Sequence, residues 1–382
     1  MSKLRAANNI KGKPMIAVLG SHSALDVCRG AKDEGFKTLV IVEKGRDKTY
    51  AKYFKIRSTS ASSGRTLLGC VDEVLYVDKF KDILSAKIQN ELNKRNCIFI
   101  PHRSFEVYVN DYDAIEKDFK VPMFGNKKLL RIEERGLDNG IDQYKIMDEA
   151  EISYPKQFKD PKDINTIAII KVLEKERGFE RANFLVKSYA EYLYKKRRGL
   201  KRGDFTKGQI KKAVIEEFIL GVQVNFNFFY DPFTKRLELI GTDTRRQTNF
   251  EGIYRLSWPF QESYQKEGGK IHYEEASHVA VTVLESMLEQ AFEIGEKFVK
   301  ATQKLSAPGV IGPFGLQTMI TPGPPKKEIV VFDVSPRMPG SPGISSTPYS
   351  GYLYGNNISM GRRVAVEIKK AIAIKKLSKI VT

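Results

Sequence analysis

Four features in the second half of this 382-residue chain bring together side chains suited to a phosphoanhydride. Lys171 sits in the apolar run AIIKV, and a lysine on a strand can reach a nucleotide phosphate. Glu216 and Glu217 run into Phe218 and Ile219, and such an acidic-to-apolar hinge can offer backbone groups to adenine. Gln317 and Asp333 fall on what read as neighbouring strands, so their hard oxygens can hold Mg²⁺ between them. Arg337, four residues past Asp333, can neutralise a transferring phosphoryl group. Each has a plainer reading. Lys171 can face solvent, and Glu216 and Glu217 can be an exposed pair. Asp333 weighs more, because a carboxylate within IVVFDVS is costly to bury unless paired or metal-bound.

The elements that must position these residues fall into two halves. Met15–Leu19, Lys37–Val42, Glu73–Val77 and Cys97–Ile100 are short apolar strands alternating with helical patterns, the first of them ALDVCRGAKDEG. Strands alternating with helices predict a parallel sheet, whose ligands sit beyond the carboxyl ends of its strands. The loops carrying His22 and Ser104 lie at that edge. Residues 58–69 read as a loose polar insertion, and KKLLRIEERGLD and DQYKIMDEAE as helices after a boundary near Val121–Asn126. From Thr166 the pattern becomes rich in hairpins: AIIKVL, NFLVKS, VQVNFNFFY turning at Asp231-Pro232, and RLELIGTDTR. A long helix is expected over about 279–303, then the strands GPFGLQTMI and EIVVFDVS, and a last helix over 362–376. The class is α/β followed by α+β, without an internal repeat.

Composition removes several functions. No apolar run approaches the roughly 20 residues of a membrane span, and mean hydropathy is −0.36. The N-terminus lacks a signal-peptide pattern. Cys28, Cys70 and Cys97 form no zinc spacing, and a reducing cytoplasm suits them. Lys and Arg number 64 against 46 acidic residues, a formal charge of +18. Residues 195–212 carry nine basic residues and one acid, which reads either as an anion-attracting segment or as a solvated face. Phe205 is the single aromatic among them, too few for stacking along a strand, which argues against nucleic acid as a partner.

The order of these features after a parallel α/β domain resembles the ATP-grasp fold. Gly20-Ser21-His22-Ser23-Ala24-Leu25, RGAKDEGF, Lys44-Gly45-Arg46, Pro101-His102-Arg103-Ser104-Phe105, VPMFGN, IGPFGLQ and SMGRRVAVEIK narrow it. These blocks resemble the archaeal formate-dependent formaminoimidazole carboxamide ribonucleotide synthetases over nearly the whole chain. The resemblance implies a substrate-side domain over 1–125 and an ATP-grasp region over 126–382. Within the latter, about 150–220 would be a small lid subdomain and 221–382 the central and C-terminal part. It implies a cytoplasmic homo-oligomeric ligase of purine (IMP) biosynthesis. Such an enzyme uses ATP and Mg²⁺ (or Mn²⁺) to activate formate and formylate aminoimidazole carboxamide ribonucleotide, releasing ADP and phosphate. Carried over by position, Lys171, Glu216, Glu217, Phe218, Ile219 and Gln247 contact ATP. His22, Ser104 and His278 contact the ribonucleotide, and Gln317 and Asp333 hold the metal.

This chain departs from the family pattern at the site. The glycine-rich run after the strand lysine is replaced by KVLEKERGFERANFLV, where Gly178 remains and Arg177 and Arg181 could substitute by charge. Gln247 stands for a glutamate, His278 for an asparagine and Asp333 for a glutamate, and PRMPGSPGISSTP replaces a Gly-Gly-Thr-Asn-type segment. Two other readings therefore stay open: a nucleotide-binding paralogue without turnover, and a ligase with a changed acid or amine substrate.

Overall fold

The computed structural model describes residues 10, 12–61, 64–133, 140–172, 183–267, 269, 271, 273–323 and 325–382. In the first half, β1 (Met15–Leu19), β2 (Lys37–Glu43), β5 (Glu73–Val77) and β6 (Cys97–Phe99) form a parallel sheet in the order β5-β2-β1-β6. Every residue of β1 is buried, which is why these strands read as continuous apolar runs rather than alternating ones. The expected polar insertion is instead a two-stranded antiparallel hairpin, β3 (Arg57–Ala61) with β4 (Gly64–Leu68). Its Ser- and Thr-rich strands hide from a search for apolar periodicity.

Helix α1 (Ala24–Asp33) follows β1 and packs on the last helix, α2 (Met360–Ala373). Two glycines make the crossing close. A Cβ on Gly30 would come within 2.1 Å of the Arg362 nitrogen, and one on Gly361 within 2.3 Å of the Asp26 carbonyl oxygen. The buried Asp26 carboxylate accepts the Gly361 N–H at 3.0 Å. The blocks RGAKDEGF and SMGRRVAVEIK thus form the seam that ties the end of the chain to its beginning.

The second half has two antiparallel sheets. β7 (Ala168–Lys171), β8 (Phe184–Val186) and β9 (Val214–Glu217) are ordered β8-β7-β9. β10 (Val222–Asp231), β11 (Arg236–Asn249), β12 (Tyr273–Ala280), β13 (Gly312–Thr321) and β14 (Glu328–Ser335) are ordered β12-β11-β10-β13-β14. The long helix starts later than expected, spanning Leu288–Leu305, because residues up to Ala280 belong to β12. β12 is an edge strand of polar residues, so no apolar pattern marks it. Of the expected helix KKLLRIEERGLD, Lys127–Glu133 is a 3₁₀ helix and the remainder lies outside the described residues. The basic run lies on helices Tyr189–Arg202 and Lys207–Lys211. Arg197, Arg198, Lys201 and Arg202 are a solvated face, whereas Lys211 and Lys212 border the cleft described next. Among the described residues, no helix is long and apolar enough to cross a membrane.

Candidate active site

Between the front sheet and the two antiparallel sheets lies a cleft of about 1900 Å³. All twelve residues singled out from the sequence line it: His22, Ser104, Lys171, Glu216, Glu217, Phe218, Ile219, Gln247, His278, Gln317, Asp333 and Arg337. The expected phosphate-covering segment with Arg177, Gly178 and Arg181 lies outside the described residues.

The floor is a row of side chains in register across four strands. Asp243 on β11 pairs with Asn225 on β10, Asn225 with Gln317 on β13, and Gln317 with Asp333 on β14. Directly opposed residues share a face of the sheet, so all four point into the cleft. Asp243 is fully buried and satisfied three times: Asn225 Nδ2 donates to it at 2.9 Å, Asn227 Nδ2 at 2.7 Å and His278 Nδ1 at 2.5 Å. Gln317 donates through Nε2 to Ser335 Oγ at 3.4 Å, while its Oε1 is buried with no partner among the described residues. A buried amide oxygen left over beside a carboxylate is what a hard divalent cation needs. Mg²⁺ takes one or two such protein oxygens and fills its remaining positions with phosphate and water. Gln317 and Asp333 therefore fit the ion.

Lys171 on β7 and Glu216 on the neighbouring β9 are oppositely charged and lie diagonally, Lys171 across from Val214 and Glu216 across from Ile169. The Lys171 ammonium forms an ion pair with the buried Glu216 carboxylate, which also accepts the Tyr144 hydroxyl. Lys171 Nζ also lies 3.5 Å from the Phe332 carbonyl, next to Asp333. The Glu216 side chain is thus committed to Lys171, and the hinge begins after it. The Glu217 and Phe218 N–H groups donate to the Lys156 and Ile167 carbonyls at 2.8 Å each, while the Ile219 N–H has no partner among the described residues.

On the front side, His22 adopts φ 51° and stacks on His102 with ring centroids 5.4 Å apart. Glycine at 340 leaves the ring its place, since a Cβ there would come within 2.4 Å of His22 Nε2. His102 Nε2–H donates to the Leu19 carbonyl at 2.8 Å, and its Nδ1 accepts the Ser104 N–H at 3.2 Å. Burial pushes its pKa down to about 4, so it is neutral in that tautomer. Desolvation by the surrounding cleft walls, then the neighbouring His102 and Arg337, hold His22 well below the usual histidine range, although the residue itself is exposed along the cleft. Ser104 Oγ donates to Ser21 Oγ at 3.0 Å.

Arg337 is held within a cluster of charged side chains. Its guanidinium lies 2.9 Å from Glu133 and 3.4 Å from Glu106, both buried, and Arg103 reaches Glu133 at 2.6 Å and Glu106 at 3.5 Å. Burial first, and Glu133 second, push the Glu106 pKa up to about 8 against the pull of Arg337 and Arg103. Sequence reasoning missed Glu106, Glu133, Asn225 and Asp243. The one available signal was Arg103 and Glu106 at helical i,i+3 spacing.

His278 is clamped on both nitrogens, by Asp243 at 2.5 Å and Glu275 at 2.7 Å. Arg245 also pairs with Glu275 at 3.0 Å, and Gln247 sits opposite Glu275 across a bulge. Burial lowers the His278 pKa, but the two carboxylates outweigh it and raise it from 6.5 to about 9. A raised folded pKa stabilises fully below the unfolded value and loses that contribution as pH climbs through the folded one. The wild-type protein should lose on the order of 2–3 kcal/mol of unfolding free energy between pH 6.5 and 9 through this group. Urea unfolding of wild type and His278→Gln across that range checks this, and parallel curves would remove the imidazolium.

Comparison with known proteins follows this geometry. Residues 16–158 match a family described as "Protein of unknown function (DUF1246)", and residues 191–382 one described as "Domain of unknown function (DUF1297)". A protein of Methanothermobacter thermautotrophicus named 5-formaminoimidazole-4-carboxamide-1-(beta)-D-ribofuranosyl 5'-monophosphate synthetase is 38% identical, over 96% of this chain and 94% of its own. A protein of the same name from Methanocaldococcus jannaschii is 37% identical, over 97% and 96%. The crystal structure of an IMP biosynthesis protein PurP from Thermococcus kodakaraensis superposes with a TM-score of 0.68 at 24% identity, covering 96% of this chain and all of that one. The ADP complex of purK, N5-carboxyaminoimidazole ribonucleotide synthetase, gives 0.55 at 12% identity, covering 87% and 72%. The fold is ATP-grasp with an N-terminal parallel α/β sheet, as expected.

Proposed function

This chain belongs to the 5-formaminoimidazole-4-carboxamide-1-(beta)-D-ribofuranosyl 5'-monophosphate synthetase family, and from that premise we propose that it is a cytoplasmic ATP- and formate-dependent ligase of IMP biosynthesis. A formate oxygen attacks the γ-phosphorus of ATP and ADP leaves. The amine of aminoimidazole carboxamide ribonucleotide then attacks the formyl carbon, phosphate leaves, and the amine loses a proton. Formate is a poor electrophile until phosphorylation supplies that leaving group.

The observation that carries the reading is one cleft that has Gln317 and Asp333 paired on β13 and β14 in its floor and His22 and Ser104 at its polar front edge. The backbone at Ile219 receives adenine. Lys171, held by Glu216, points its charge toward the phosphates beside Asp333. Gln317 and Asp333 hold Mg²⁺, which offsets charge on the phosphates when bound. Arg337 faces the transferring group, and His22 and Ser104 orient the ribonucleotide.

A second reading rests on His278. An imidazolium fixed between two carboxylates, where the family resemblance places an asparagine, suits a ligase with a changed amine or acid. Incubation with ATP, Mg²⁺, formate and aminoimidazole carboxamide ribonucleotide should yield ADP, phosphate and the formylated ribonucleotide in equal amounts. ADP release only with another carboxylate or amine would establish the second reading. Nucleotide binding without ADP release on any such mixture would identify a paralogue without turnover.

A further inference from the structure

Asn225 has no role in the sites set out above, yet it lies at the centre of the cleft floor. It is buried, with 5% of its surface exposed, and is opposed to Gln317 on one side and Asp243 on the other. The orientation of its amide is settled by chemistry. Its Nδ2 donates to Asp243 Oδ2 at 2.9 Å, and only an amide nitrogen can do so toward a carboxylate. Oδ1 is therefore turned away from Asp243, and it is buried without a partner among the described residues. The neighbouring strand repeats the pattern, with Gln317 Oε1 buried and likewise unpartnered among the described residues. Two orphaned amide oxygens on opposed residues of adjacent strands point to a shared ligand, since each costs on the order of 1–3 kcal/mol when left bare.

That ligand should be electropositive, because amide oxygens only accept. A substrate hydroxyl or amine would satisfy one of them. A divalent cation satisfies both, and the third oxygen donor in the row, Asp333, sits directly across from Gln317. Adjacent ligand oxygens of an octahedral magnesium ion are about 2.9 Å apart, from a metal–oxygen distance of about 2.0–2.1 Å. Opposed side chains on neighbouring strands, with Cβ atoms about 4.5–5.5 Å apart, can converge to that spacing.

We propose that Asn225 is a third protein ligand of the divalent cation, its Oδ1 completing an edge with Gln317 Oε1 and Asp333, and that Asp243 is the positioning residue that turns it. The inference rests on the ATP-ligase reading. One carboxylate among three oxygens leaves a net single negative charge, which lets the cation keep most of its attraction for a polyphosphate. It also explains why Asp243 is so heavily satisfied: with Asn225, Asn227 and His278 all bonded to it, it is held back from the cation and acts through the amides.

Titration of Mn²⁺ into the protein with ADP, read by loss of the free-ion paramagnetic resonance signal, tests this. Asn225→Ala should weaken Mn²⁺ binding about tenfold while ADP binding without metal stays as in wild type. Asn225→Asp should bind Mn²⁺ at least as tightly as wild type, and its melting temperature should rise more on adding Mn²⁺ and ADP, because the ion then also offsets the new charge beside Asp243. Unchanged Mn²⁺ binding in Asn225→Ala overturns the proposal and leaves the ligase reading standing. An equal loss of metal-free ADP binding also overturns it, assigning Asn225 to the nucleotide. Wild-type protein that binds ADP but no Mn²⁺ removes the metal site, and one that binds neither removes the ligase reading with it.

Discussion

Asp333→Ala should abolish Mg²⁺-dependent ATP binding, raising the dissociation constant at least 100-fold while leaving any metal-free nucleotide binding little changed. In the proposed metal site Gln317 and Asn225 offer neutral oxygens, so Asp333 would be the one carboxylate of the row to face the cation. Residues that only orient metal ligands cost about 10–100-fold in affinity when removed, and a charged ligand should cost at least the top of that range. The fold should tolerate the change. Asp333 is half-buried in the cleft floor, and its strand is held by Val331 and Val334, which pack into the core. Asp333→Glu should keep Mg²⁺-dependent binding within about tenfold, since it restores the residue that the family resemblance places there. Calorimetric titration of ATP with and without Mg²⁺ reads both variants. Equal affinity in wild type and Asp333→Ala would show that the triphosphate sits elsewhere in the cleft.

Asp333 was legible in the sequence for the same reason that makes it effective. It interrupts an otherwise apolar strand, and GPFGLQ and EIVVFDVS are joined by a turn short enough to imply that they pair. The parallel sheet was legible because its inner strands, β1 and β2, are buried on both faces and read as unbroken apolar runs. Asn225 and Asn227 escaped notice because they alternate with Phe226 and Phe228. That alternation reads as one face in the core and one in water. Here the polar face lines the cleft and is itself buried. Glu106 and Glu133 escaped because they lie far apart in sequence, on short helical segments, and nothing in either segment shows that Arg337 lies between them. Local pattern reveals which residues face inward. It does not reveal which inward-facing charges meet.

That meeting sets the second large effect, at Arg337. Two guanidinium groups, Arg103 and Arg337, face two carboxyl groups, Glu106 and Glu133, in a buried cluster joining the front domain to the end of β14. Removing one member of such a cluster strands the others, at a cost of about 3–5 kcal/mol. Arg337→Met should therefore lower both stability and rate, and the rate loss should reach about 10²–10³, as for other removed donors to a developing charge. The two effects separate in the double variant Arg337→Met with Glu133→Gln. Stability should recover in part, because a stranded carboxylate is gone, while the rate should not recover. pH provides an independent readout. With its pKa near 8, Glu106 is protonated at neutral pH, and the cluster then sets two guanidinium groups against the one remaining carboxyl. As pH rises through 8 that surplus of positive charge is neutralised, so the phosphoryl-transfer rate should fall. Glu106 also contributes to stability below about 4.5 and loses that contribution as pH climbs toward 8. Glu106→Gln should flatten the limb above pH 8 and leave the rate at neutral pH within a few fold. A wild-type profile that is level from pH 7 to 9, or an Arg337→Met protein as active as wild type, would make this cluster a structural joint rather than a source of charge for the transfer.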